Sequence, residues 1–385
     1  MGKGRSYILK TGIITIFEQS NYGNRLQNYA VSKLLRKYGK PETIVIQFER
    51  SIKKKVKDWF LDNHGIAFRN KVPYRIPDVA IERRVRFVQF TERNIPLRYF
   101  MCSSVSDLQR LRQDYDFFVA GSDQIWNPLF WNNDGAERLF NLYFLTFAPA
   151  ASRIALSASI GINAVPQEWK ERFSEEWKKF RAISVREDRG AEIIRECCGR
   201  DAPVLLDPTL ALPKEEWRRL ADRDVKLPKS YALTCFLGNK TAAYRRIIGR
   251  LLKAQGLDCV ELNNPAYPEY YRLGPDGFLA AVEGADIIFT DSFHAVVFSI
   301  IFEKPFAAFD RVESGMCAMN SRMETLFGKL GLRDRIYSGE SCMDIDVGEL
   351  LSRDYNQVKR RLKEGRKAMQ SYLEDVFITE AKDGT

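Results

Sequence analysis

The chain has 385 residues, of which 45% are hydrophobic, 29% charged and 12% aromatic, a globular composition long enough for two domains of ordinary size. Its 60 Lys/Arg against 50 Asp/Glu leave a formal net charge of +10, and no apolar run approaches the roughly 20 residues that span a bilayer. Seven scattered cysteines without a C-x-x-C pair, and only two histidines, argue against a disulfide framework and a zinc site of ordinary spacing. Reduced thiols packed as small hydrophobes and a cytoplasmic location are expected.

In chain order, short β-branched runs alternate with helix-length segments, the signature of parallel α/β sheets. G-I-I-T-I-F (12–17) predicts a strand and E-Q-S-N-Y-G-N a polar turn. R-L-Q-N-Y-A-V-S-K-L-L-R-K-Y-G follows as a helix, with Leu26, Ala30, Leu34 and Leu35 on one stripe and Gly39 as its stop. T-I-V-I-Q-F (43–48) is the next strand, and a basic insertion over 51–93 interrupts the series. Strands over 117–123, 153–159, 182–187 and 203–208 continue it, with helices such as Q-E-W-K-E-R-F-S-E-E-W-K-K-F between them. After Asp207-Pro208 the pattern starts again. Strand 231–238, a helix over 243–255, the strand D-C-V-E-L-N, a helix over 276–283, strand 286–291, an apolar helix carrying His294 and strand 305–310 make a second unit. A charged helix over 355–376 has no strand after it. The expected organisation is an N-terminal Rossmann-like domain (1–212), a C-terminal one (213–352), and a terminal helix and tail (353–385) free to cross back to the first domain.

Several signatures are missing. No G-x-G-x-x-G follows a strand, and neither a P-loop nor G-x-S-x-G occurs, which argues against dinucleotide redox, P-loop hydrolysis and serine-hydrolase chemistry. D-I-D (344–346) looks like the acidic motif of some metal-dependent sugar transferases, but three letters near the C-terminus are too little to assign a metal. T-D-S-F-H-A-V-V-F-S-I-I-F-E-K-P (290–305) is more informative. It places His294, a side chain that titrates near neutral pH, where an apolar strand turns into an apolar helix. Ligands of parallel sheets gather beyond the carboxyl ends of strands. Ser292 is expected to cap the helix with His294 in its first turn, presenting a helix N-terminus suited to a phosphate or carboxylate. A satisfied structural histidine is the competing reading.

That stretch, extended to Phe306, resembles the hallmark of the polysaccharide pyruvyl transferase family. G-I-I-T-I-F-E-Q-S-N-Y-G-N-R-L-Q-N-Y-A, D-F-F-V-A-G-S-D-Q-I-W-N-P (116–128), I-S-V-R-E-D-R-G (183–190) and N-S-R-M-E-T-L-F-G-K-L-G-L-R-D-R (320–335) agree in order, so the resemblance spans residues 12 to 335. It implies a fold like the GT-B glycosyltransferases, two Rossmann-like domains facing a cleft. It also implies transfer of the pyruvyl group of phosphoenolpyruvate, as co-substrate and without a cofactor, onto two hydroxyls of a sugar. The product is a cyclic ketal of a bacterial surface or exopolysaccharide. A donor with a phosphate and a carboxylate calls for guanidinium forks, and its vinyl carbon calls for an acid. His294 is the implied catalytic group and Arg186, closing I-S-V-R-E, matches the donor-binding arginine; Ser292 and Phe293 stand on the donor side. Many members carry arginine two residues before the histidine, in R-L-H, whereas this chain has Ser292-Phe293-His294. Arg322, in N-S-R, is the candidate replacement, against a structural role.

Asn21, Asn24 and Gln27 at the first strand-to-helix turn either bind acceptor hydroxyls or cap the helix. Ser122 and Asp123, in G-S-D-Q-I-W, are expected to orient sugar or donor, and Trp126 reads equally as core or sugar platform. Two other functions remain open: a glycosyltransferase using a nucleotide sugar in the same kind of cleft, and a non-catalytic carbohydrate-binding protein on the same fold.

Residues 51–93 carry eleven Lys/Arg against five Asp/Glu, a net +6, interleaved with Trp59, Phe60, Phe87 and Phe90. Solvated amphipathic helices are the plain expectation. Docking to anionic lipid at the inner membrane face, where a polyprenyl diphosphate-linked acceptor would lie, is the second. No recognised nucleic-acid module accompanies the charge.

Overall fold

The computed structural model describes residues 8–48, 66–69, 72–75, 77–131, 135–311, 320–338, 345–352 and 354–378. Its first half is a six-stranded parallel sheet built from β1 (Lys10–Ile14), β2 (Lys40–Phe48), β5 (Leu97–Cys102), β6 (Phe117–Ala120), β7 (Arg153–Ala158) and β8 (Ala182–Val185), in the order β5-β2-β1-β6-β7-β8. β3 (Ile66–Arg69) and β4 (Val72–Arg75) form a separate antiparallel hairpin. The central strands FFVA and RIALSA are buried along their whole length, as a sheet covered on both faces requires.

The second half is a five-stranded parallel sheet of β9 (Tyr231–Cys235), β10 (Asp258–Leu262), β11 (Ile287–Thr290), β12 (Phe306–Phe309) and β13 (Ile336–Tyr337), ordered β10-β9-β11-β12-β13. In each sheet the chain winds outward one way and then the other. The reversal falls between β1 and β6 in the first and between β9 and β11 in the second. Ligands of open α/β sheets bind beyond the strand carboxyl ends at such reversals. The two-domain α/β class expected from the sequence is therefore the observed one.

Helix α1 (Tyr22–Leu35) joins the halves. Leu26, Tyr29 and Ala30 lie in the apolar core of the second half, while Val31 and Leu35 lie in a core of the first sheet with Ile13, Phe117 and Ile154. A helix buried on both faces needs partners for its polar side chains, and Asn28 and Gln27 have them. Asn28 Nδ2 donates to Thr43 Oγ1 at 2.8 Å, and Gln27 Nε2 donates to Thr15 Oγ1 at 2.9 Å.

Helix α2 (Asp78–Asn94) also joins the second-half core, through Phe87 and Phe90. This corrects the expectation of aromatic side chains poised for a lipid surface. Phe87 is 0% and Phe90 2% exposed, because their spacing of three residues puts both on the inward face of one helix. Trp59, Phe60 and the lysines of I-K-K-K-V-K lie outside the described residues. Among the described residues no helix is long and apolar enough to cross a membrane. The C-terminal helix, Asn356–Phe377, places Val358 and Leu362 in the second-half core, and Met369, Leu373 and Phe377 against the first sheet, so it crosses back.

Two local expectations differ. No strand forms over 203–208: Val204 makes one isolated bridge to Val185, and Asp207 caps the short helix α3 (Pro208–Ala211), accepting from Thr209 N. Proline at the first helical position removes a ladder donor and favours this turn. Helix α1 starts at Tyr22, earlier than periodicity indicates, because the Asn21 side chain accepts from Asn24 N and draws Gly23 and Asn24 into the first turn.

Candidate active site

Both sheet reversals open onto one place. From the first sheet come Asn21 to Asn24 after β1, Gly121 to Gln124 after β6 and Arg186-Glu187 after β8; Asp207 joins them from the cap of α3. From the second come Asp291 and Ser292, after β11, and Phe293 and His294, which open helix α4 (Phe293–Ile301).

The side chains meet around one carboxylate. Arg186 Nη1 donates to Asp207 Oδ2, and His294 Nε2 faces the same oxygen at 3.6 Å. That second distance is beyond a hydrogen bond but within ion-pair range for an imidazolium. On its other side Arg186 Nη2 lies 3.7 Å from Asp123 Oδ1, and Asn24 Nδ2 donates to Asp123 Oδ2 at 3.0 Å. Asp207 is 2%, Arg186 4%, Asp123 8% and His294 8% exposed, so this ionic group is shielded from bulk solvent while the imidazole keeps an edge on a cavity. Among the described residues Arg186 Nε and Nη2 and His294 Nε2 have no hydrogen-bond partner. Buried donors of that kind call for an anionic or hydroxyl ligand.

Burial alone would raise both carboxyls. For Asp207 the Arg186 charge, with His294 and the Thr209 hydroxyl, more than offsets burial and holds the group well below the usual carboxylate range. For Asp123 burial is likewise outweighed, by Arg186, His294, Asn24 and Arg322. Burial and the neighbouring Arg186 charge lower the Arg322 guanidinium to about 10, still a cation at neutral pH.

Two cavities flank the Ser292-Phe293-His294 turn. One, of about 70 Å³, is lined by Arg311 and Arg322 with Phe293 and Asp291. The other, of about 190 Å³, lies on the His294 side between the halves and is lined by Ser20, Asn21, Tyr22, Asn263 and Ser292. Gly23 makes the imidazole's position possible. A Cβ there would stand 1.9 Å from His294 Nδ1, so the first turn of α1 abuts the ring only because residue 23 has no side chain.

The sequence profile of the family described as "Polysaccharide pyruvyl transferase" matches residues 21–312, most of the chain and every site group named above except Ser20 and Arg322. The chain belongs to the polysaccharide pyruvyl transferase family. No curated protein matches it. Among solved structures it is similar to UDP-GlcNAc 2-epimerase from Neisseria meningitidis bound to UDP-GlcNAc (10% identity, 95% of this chain and 100% of that one, TM-score 0.47). It is also similar to UDP-N-acetylglucosamine 2-epimerase from Rickettsia bellii (11%, 96% and 97%, 0.47) and to MurG from Acinetobacter baumannii (10%, 96% and 99%, 0.40). Likeness at that level carries no functional argument.

Within this pyruvyl transferase family member the residues singled out in the sequence separate. His294, Arg186 and Asp123 converge. Asn24 orients Asp123, and Asn21 caps α1 while its residue lines the larger cavity. Gln27 is fully buried with both amide ends used, donating to Thr15 and accepting from Ser122 N at 3.1 Å, which places it under the site. Ser122 is equally buried, its hydroxyl donating to Ser157 O at 2.7 Å. Ser292 occupies the N-cap position but makes no side-chain cap bond: Thr290 Oγ1 accepts the Ser292 N–H and closes the turn, leaving the Ser292 residue on the cavity wall. Trp126 is core, 0% exposed, with Nε1 donating to Tyr143 O.

The departure at S-F-H has a structural counterpart. Two guanidinium groups lie over the Phe293 ring, Arg186 at 4.6 Å and Arg322 at 5.5 Å from its centroid. Arg322 comes from helix α5 (Asn320–Leu330) and is 7% exposed. In the amide orientation that satisfies all partners, the Gln124 oxygen accepts from Arg322 Nη1 at 3.2 Å and Nη2 at 3.1 Å. Sequence reasoning missed Asp207, Glu187 and Gly23. Glu187 Oε1 accepts from Ser159 Oγ, Ile160 N and Gly161 N, which fixes the loop after β7 beneath Arg186.

Proposed function

We propose that the protein transfers the pyruvyl group of phosphoenolpyruvate onto two hydroxyls of a sugar, forming a cyclic ketal in bacterial surface-polysaccharide biosynthesis. The observation that carries this reading is the convergence of His294 from the second half and Arg186 from the first on Asp207, with Arg322 over the Phe293 ring and a separate cavity on either side of the turn. The arginines supply guanidinium forks for the donor's phosphate and carboxylate. His294 delivers a proton to the vinyl methylene carbon, which becomes the methyl group, and C2 becomes an oxocarbenium-like centre. The first sugar hydroxyl bonds to C2 and gives its proton back to the imidazole. Cleavage of the C2–O bond then releases phosphate, and the second hydroxyl closes the ring, its proton leaving with phosphate. Of the two hydroxyl protons one thus ends on the methyl carbon and one on phosphate, so His294 finishes as it began. Asp207 holds a negative charge beside the imidazole throughout, the relation in which a buried carboxylate orients a catalytic histidine. A polyprenyl diphosphate-linked sugar at the inner membrane face suits such an acceptor.

The test is phosphate release from phosphoenolpyruvate over a panel of free and lipid-linked glycosides. His294→Ala should lower turnover by about 10²–10⁴-fold without unfolding the protein. Binding of nucleotide sugars but not phosphoenolpyruvate, or a His294→Ala variant as active as the parent, would overturn the proposal.

A further inference from the structure

The inserted helix α2 has no part in pyruvyl transfer as described, yet one of its cations reaches the site's wall. Arg83 is 5% exposed, and its donors go to both halves of the molecule. Nη1 donates to Tyr22 Oη at 2.6 Å and Tyr271 O at 2.7 Å, and Nη2 to Ser20 O at 3.0 Å and Asn263 Oδ1 at 2.8 Å. The guanidinium also stacks over the rings of Tyr22 at 4.4 Å and Tyr271 at 5.0 Å. Among the described residues no carboxylate pairs with it. Ser20, Tyr22 and Asn263 all line the cavity of about 190 Å³ beside His294.

We infer that this cavity is the acceptor subsite, that it admits a single terminal sugar ring, and that Arg83 is the positioning residue that sets its wall; the inference rests on the pyruvyl-transfer reading. Its volume is below the roughly 300–1,000 Å³ of pockets that enclose drug-sized ligands, so one ring fits and a disaccharide does not. Its polar lining is mainly hydroxyl and amide (Ser20, Asn21, Asn263, Ser292), with the Glu18 carboxylate at the rim, a set that pairs with sugar hydroxyls. Tyr22 and Phe278, stacked on each other at 4.7 Å and 16°, add an apolar stretch of wall. No Lys or Arg lines the cavity among the described residues, so a carrier diphosphate stays outside it. A ring that enters must have its hydroxyl pair free and be attached to the carrier on the side facing the mouth. The reaction therefore takes a terminal sugar, before a further glycosyl transfer covers it, and not an internal residue of a finished polymer.

The experiment measures phosphate release with glycosides in which the same sugar is terminal or internal, its target hydroxyls free in both, for the parent, Arg83→Lys and Asn263→Gly. Glycine adopts the left-handed backbone of Asn263, φ 63°, without strain, so that variant removes only the side chain and guards against an Arg83 variant that fails to fold. The expected result is turnover of terminal rings only. Both variants should show an acceptor KM raised by about tenfold, a loss of roughly 1.4 kcal/mol of binding, with the phosphoenolpyruvate KM unchanged. Equal use of internal and terminal rings, or unaltered acceptor KM in both variants, overturns the one-ring subsite and leaves pyruvyl transfer standing. No phosphate release by the parent with any glycoside overturns both.

Discussion

Gly23→Ala tests the geometry around His294 without touching a polar group. In a helix, Ala for Gly ordinarily stabilises by about 0.5–1 kcal/mol. Here the new Cβ would stand 1.9 Å from Nδ1, 2.2 Å from Cγ and 2.7 Å from Cε1 of His294, where ordinary contact begins near 3.4 Å. The ring must therefore retreat by 1.5 Å, the difference between 3.4 and 1.9 Å, or α1 must shift, and α1 is fixed in two cores. Overpacking of that kind costs about 1–3 kcal/mol, and a misplacement of about 1 Å costs on the order of 10²-fold in rate. Turnover in the phosphate-release assay should fall by that factor with the donor KM little changed, and the melting temperature should drop. In a Gly23→Ala/His294→Ala double variant the clash is gone, so the same alanine should become stabilising; a thermodynamic cycle measures the change of sign. If Gly23→Ala alone is as active and as stable as the parent, the imidazole is not where the geometry puts it.

Arg186→Lys should weaken donor binding more than acceptor binding, since an ammonium cannot bridge Asp207 and Asp123 while offering a fork to the ligand; equal effects on the two Michaelis constants would contradict this. Arg322→Ala should raise the KM for phosphoenolpyruvate if this side chain replaces the arginine of R-L-H, and an unaltered value refutes the replacement. Asp207→Asn should lose about 3–5 kcal/mol at neutral pH, because Arg186 then keeps a buried charge without its closest partner. The folded-state value of Asp207 lies below the unfolded value of about 3.9, so its stabilisation is complete above that pH and is lost as the pH falls below it. Acid unfolding curves of parent and variant should accordingly converge at low pH.

Most strands were legible because runs such as F-F-V-A and I-I-F-T are buried on both faces and carry no polar interruption. Arg186 was legible because it follows β8 directly, and His294 because it stands in the first turn of the helix after β11. Asp207 was not, since D-P after an apolar run reads as a boundary; only the fold brings the α3 cap under Arg186. Gly23 sits in N-Y-G-N, which looks like a turn, and nothing local shows that an imidazole 271 positions away needs the space. Arg83 was hidden in a different way. In I-E-R-R-V-R-F-V-Q-F its charge resembles its neighbours', Phe87 and Phe90 resemble interfacial rings, and the facing half that buries all three lies far along the chain.

The double membership of α1 bears on how the enzyme moves. A wide hinge between the halves would have to strip Leu26, Tyr29 and Ala30 from one core or Val31 and Leu35 from the other. Exposing one large apolar side chain costs about 1.5–3 kcal/mol, so wide opening is a rare excursion and not a routine step of each catalytic cycle. Substrates and products then exchange through the mouths beside the Ser292-Phe293-His294 turn, with the two sheets riding on α1 as one body.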